Sequence, residues 1–82
     1  MRVNKLLFKL KNQEEIKTFE IGQVLSKEDF LDLSDEVRIV KININAKIGF
    51  IEISSDSGNF LWYSLSDIQL LSFTKAIKKE FN

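Results

Sequence analysis

The chain has 82 residues, with no cysteine, histidine or proline, and its 12 basic residues equal its 12 acidic ones. That composition excludes disulfides, thiol nucleophiles, zinc sites built from Cys and His, and every triad or dyad that needs an imidazole base. It lacks the basic surplus of a non-specific nucleic-acid binder and the acidic surplus of a nucleic-acid mimic, and no apolar run approaches the roughly 18 residues of a membrane span.

The size sets one domain, residues 1–82. Ten Ile, ten Leu, seven Phe, four Val, one Trp and one Tyr suffice for one core without a metal or disulfide staple. They leave little for a deep small-molecule pocket, and no cofactor is expected. The start, Met1 to Lys9, carries Arg2 and Lys5 before any apolar stretch develops. No secretory leader is expected there, and the expected location is the cytoplasm.

Residues 5–10 alternate, with Leu6, Phe8 and Leu10 on one face and Lys5, Leu7 and Lys9 on the other. Asn12-Gln13-Glu14-Glu15 breaks the pattern and residues 16–21 resume it, which predicts a β-hairpin. Lysines on the first strand are expected to guard a sheet edge. Gly22 ends the hairpin. Ser26 and Asp29 then resemble a capped helix start, with Phe30, Leu31 and Leu33 as its apolar side, so a short helix is expected over 27–33.

Residues 37–44 are rich in β-branched side chains and alternate at Val40, Ile42 and Ile44. Residues 48–53 and 60–65 read as the next two strands, separated by the turn Asp56-Ser57-Gly58-Asn59. The three form an antiparallel meander. The C-terminal segment has two readings. Ser66 as a cap and Leu70, Phe73, Ile77 and Phe81 at helical spacing favour a helix over 66–80. A tight turn at Ser66-Asp67-Ile68 followed by a strand Leu70-Leu71-Ser72-Phe73 is the alternative. The helix is preferred, and the expected class is therefore α+β: a small antiparallel sheet or barrel of about five strands, a short helix near 27–33 and a C-terminal helix.

Two features carry a functional reading. Glu28, Asp29, Asp32, Asp35 and Glu36 form an acidic block with no base among them. A solvated helix face explains them most simply. The functional reading is a patch facing a basic partner; a Mg²⁺ or Ca²⁺ site is the least favoured reading, because no EF-hand pattern is present and ordered oxygen ligands with a glycine turn are missing. The second feature is Phe60, Trp62 and Tyr63, with Phe50 on the preceding strand. If both faces of that strand are covered, the run is core. If one is offered to a partner, Phe60, Trp62 or Tyr63 is a binding anchor. With Arg38, Lys41 and Lys47 in the same meander, the alternative is base stacking on single-stranded nucleic acid by Trp62 and Tyr63.

The stretches Val37–Lys41, Lys47–Ile53 and Phe60–Leu71 resemble the strands of small SH3-like barrels with a KOW-type element, including short barrel proteins encoded by phages of low-GC bacteria. The resemblance lies within residues 20–73. It implies a barrel and a binding platform for protein or nucleic acid. The composition, with ten Lys to two Arg and ten Ile to four Val, resembles that of proteins from AT-rich genomes.

Together these features predict a non-enzymatic protein-binding module. The expected role is an accessory protein of a phage or mobile element that inhibits or modulates a host protein, such as a defence nuclease, by occupying its surface. The alternatives are a nucleic-acid-binding small barrel and an oligomeric structural protein whose strand edges pair.

Overall fold

The structure, a computed structural model, describes residues 1–25, 36–58 and 60–76. The expected helix over 27–33 lies outside the described residues, as do Glu28, Asp29, Asp32 and Asp35.

Among the described residues seven strands follow one another: β1 (Val3–Leu10), β2 (Ile16–Glu20), β3 (Val24–Leu25), β4 (Val37–Asn45), β5 (Phe50–Ser55), β6 (Phe60–Ser64) and β7 (Ile68–Lys75). They form two antiparallel sheets, one ordered β2-β1-β7 and the other β3-β4-β5-β6. The expected hairpin is present as β1 and β2, with Leu6 opposite Phe19. The meander is present as β4, β5 and β6, with Ile42 opposite Ile53 and Glu52 opposite Trp62.

The α+β class is overturned. The described residues are mostly β, and no helix of seven or more residues occurs among them. Nor do the strands close into a barrel; the two sheets remain distinct. Where a helix over 66–80 is expected, a single 3-10 turn spans Leu65–Asp67 and β7 follows at once. Ser64 caps that turn instead of Ser66 capping a helix: its side-chain oxygen accepts from the Ser66 amide at 3.4 Å. Lys11 N then donates to Asp67 O at 3.0 Å, which fastens the turn to the end of β1. From there Leu10 pairs with Ile68 and the chain runs back along β1. An extended segment that completes the hydrogen bonds of a neighbouring strand gains what an isolated helix turn cannot.

The sheets pack face to face around one core: Val3, Leu6, Phe8 and Phe19 from the first, and Leu25, Val37, Ile39, Ile42, Ile44, Ile51 and Ile53 from the second, joined by Ile68. Strand side chains alternate between faces, and each chain segment obeys this except at three bulges. The register of β1 on β7 slips between Val3 and Lys5 and between Leu7 and Phe8; that of β4 on β5 slips between Ile39 and Lys41. The last slip corrects one expectation. Val40 is the residue left over; it is half exposed, and Ile39 takes its place in the core beside Ile42 and Ile44.

Candidate functional site

The outer face of the second sheet is set by the register of its three long strands. Cross-strand partners share a face. Asn43, Glu52 and Trp62 form one row across β4, β5 and β6, and Asn45, Phe50 and Ser64 form the next. Trp62 and Phe50 are therefore diagonal neighbours. Their rings meet edge to face, with centroids 6.1 Å apart and planes at 77°. Trp62 is 53% exposed and Phe50 39%. Ile48, 58% exposed, stands two residues before Phe50 in the turn that joins β4 to β5.

That turn is built locally. The Asn45 side-chain oxygen accepts from the amides of Lys47 and Ile48, at 3.1 and 3.3 Å, and Gly49 N donates to Asn45 O at 2.9 Å. Gly49 has φ of 76°, the left-handed region that glycine enters without steric cost. Its carbonyl accepts from Leu65 N at 2.8 Å, which holds the start of β5 against the end of β6. The Phe50–Trp62 pair is thus anchored at its backbone from both strands.

Charge beside the pair is engaged. Lys41 Nζ lies 3.3 Å from Glu52 Oε1, and the same carboxylate oxygen accepts from Ser54 Oγ at 3.3 Å. Arg38 donates through Nη1 to Gly22 O at 2.9 Å, and its amide donates to Asp56 Oδ1 at 3.0 Å. Lys47 is exposed at the tip of the β4–β5 turn. Arg38 and Lys47 lie towards opposite ends of β4, nine residues apart in sequence. The three cations do not converge.

The aromatic run divides between the two faces. Trp62 faces out. Tyr63 faces in: its ring lies 4.9 Å from that of Phe8 and 6.0 Å from that of Phe19. Burial raises its phenol pKa above the ordinary value of 10.0. Phe60 is placed by its backbone, opposite Ser54, and its side chain lies outside the described residues. Of the acidic block, Glu36 is described, exposed just before β4. The structure thus brings together Trp62, Phe50, Glu52 and Lys41, and directs Tyr63 away from them.

A second exposed apolar surface went unread in the sequence. Leu70, Leu71 and Phe73 on β7 are 40%, 42% and 39% exposed. The signal was available: residues 68–74 form an uncharged run. Read as a helix, the same run places its apolar residues on one helix face.

Among the described residues, no group of three acidic side chains is placed to hold a metal ion, and no helix is long and apolar enough to cross a membrane. Compared with known proteins, the chain matches no family model, no curated protein and no solved structure.

Proposed function

We propose that this chain is a non-enzymatic protein-binding domain of the cytoplasm, and that the outer face of β5 and β6 around Phe50 and Trp62 is its working surface. The observation that carries the proposal is the aromatic pair: two large rings packed on each other on an open sheet face, one of them more than half exposed. A Trp ring already oriented by a neighbour offers apolar area at small entropic cost, the usual property of an interface anchor. The Lys41–Glu52 ion pair beside it supplies a polar rim. By occupying a surface of its partner, such a domain modulates that partner without chemistry of its own.

Protein is favoured over nucleic acid as the partner because the cations of the meander are dispersed. Lys41 is engaged by Glu52 and Arg38 by Gly22 O, and the formal net charge is zero. A strand-binding groove needs a continuous basic track beside its stacking rings.

The test is affinity capture from lysate of the source cells by the wild type, by Trp62→Ala and by Phe50→Ala, each with and without nuclease. A protein that is retained by the wild type after nuclease and lost from both variants supports the reading. Capture that vanishes with nuclease, or that both variants retain in full, overturns it. The acidic segment is tested separately: reversal of Asp29, Asp32 and Asp35 together is expected to weaken capture if that block also touches the partner.

A further inference from the structure

We infer that β7 is a self-association edge, through which two copies of this chain pair antiparallel and join their β2-β1-β7 sheets into one six-stranded sheet. The inference is independent of the partner surface proposed above, which lies on the other sheet.

Folded proteins guard their sheet edges with short strands, charges or proline. The edges here are treated unequally. β3 is two residues long and β6 five. β2 carries Lys17 and Glu20 and is preceded by Glu14 and Glu15. β7 is eight residues long and carries no charge before Lys75, and among the described residues no strand pairs with its outer edge. Its apolar residues are also misplaced for a monomer. Leu70 stands opposite Phe8 and Phe73 opposite Leu6, both partners being fully buried. Leu70 and Phe73 therefore lie on the core side of their sheet, yet they remain 40% and 39% exposed, so the second sheet leaves them uncovered.

The occupant follows from register and charge. When a twofold axis perpendicular to the sheet relates two β7 strands, residues opposite each other must share a face. Ile68, Leu70 and Phe73 face the core; Gln69, Ser72 and Thr74 face out. An axis between Leu71 and Ser72 satisfies this for the three pairs that flank it. Leu70 then meets Phe73 of the second copy, Gln69 meets its Thr74, and Ile68 meets its Lys75. Asp67, next to Ile68, comes beside the same Lys75, so an opposite-charge contact closes the strand pair at each end. Only a strand bounded by an acid at one end and a base at the other complements itself in this way. The four exposed core-side rings and chains, Leu70 and Phe73 from each copy, gather into one apolar cluster along the seam.

The experiment is sedimentation velocity of the full chain over a wide concentration range. The wild type is expected to shift from monomer to dimer as concentration rises. Phe73→Lys places an ammonium in the apolar seam and is expected to abolish the dimer, whereas Thr18→Lys on the β2 edge leaves it intact. Ser72→Lys, whose side chain faces out next to the axis, is also expected to abolish it and keeps the test open if Phe73→Lys fails to fold, as judged by circular dichroism. Because the chain has no cysteine, Leu70→Cys and Phe73→Cys copies mixed together are expected to form a mixed disulfide. A wild type that remains monomeric at every concentration overturns the proposal. So does a dimer that survives Ser72→Lys or one whose mixed copies do not cross-link.

Discussion

Phe50 and Trp62, diagonal neighbours on β5 and β6, pack edge to face on the open side of their sheet, with ring centroids 6.1 Å apart. Such pairs contribute about 0.5–1.5 kcal/mol beyond area burial, and the exposure of Trp62 places this one towards the lower end. A double-mutant cycle of Phe50→Leu and Trp62→Leu in urea unfolding is expected to show a coupling of about 0.5 kcal/mol. As the sole tryptophan, Trp62 also reports on the site directly. Its emission is expected to be red-shifted and readily quenched by acrylamide in the free chain, and blue-shifted and protected when the partner binds.

Phe8 joins the two sheets. It is fully buried on β1, stacked at 5.8 Å on Phe19 of its own sheet and set edge-on at 4.9 Å to Tyr63 of the other. Phe8→Ala removes both ring contacts and opens a cavity where the sheets meet, a class of change that costs about 3–5 kcal/mol. Against the modest stability of a domain this small, that loss is expected to leave the chain largely unfolded. Loss of the cooperative transition in thermal circular dichroism checks it. Phe8→Leu, which keeps most of the volume, is expected to remain folded.

The sequence shows this core more clearly than it shows the elements that carry it. The hairpin and the meander were legible because alternation survives in Leu6, Phe8 and Leu10 and in Ile42 and Ile44. The C-terminal strand reads as a helix because a bulge imitates one. One extra residue in a strand turns an inward spacing of two into three, and three is also the spacing of a helix face. The pattern recurs at each slip: Val3 and Leu6, Ile39 and Ile42, Leu70 and Phe73 are all core-facing pairs three apart. In β4 the run of β-branched residues specifies a strand, and the alternation misplaces only Val40. In β7, with Leu, Ser and Phe in place of Ile and Val, the same spacing tipped the reading to helix. Only the pairing with β1, which is non-local, decides it. The site was partly legible for a related reason. Alternation places Trp62 and Tyr63 on opposite faces, but which face is covered depends on where the first sheet lies.

Tyr63 gives the fold a dependence on alkaline pH. Burial disfavours the phenolate and raises its folded-state pKa above 10.0. The folded chain thus holds this proton more tightly than the unfolded chain. The stabilisation is complete below the unfolded pKa and is lost as pH rises through the folded one. Urea midpoints are expected to fall from about pH 10 upwards, together with the appearance of tyrosinate absorbance from this single tyrosine. In Tyr63→Phe that component of the alkaline loss is expected to disappear, with little change in stability at neutral pH.

Gly49 tests whether backbone conformation or packing governs the turn between β4 and β5. Its φ of 76° is costly for an L-residue, yet a Cβ added there meets nothing within 4 Å. The cost of Gly49→Ala is therefore conformational alone, about 1–2 kcal/mol. Asparagine tolerates the left-handed region better than alanine does, so Gly49→Asn is expected to cost less than Gly49→Ala, and Gly49→Val more than either. Urea unfolding of the three variants gives the order. If packing and not backbone conformation governed the position, Ala and Asn would differ by size and Asn would be the worse. The open space around the Cβ argues for the first order. Because Leu65 N donates to the Gly49 carbonyl, the destabilised variants are also expected to show faster amide exchange at Leu65 than at Ile53, in the centre of β5.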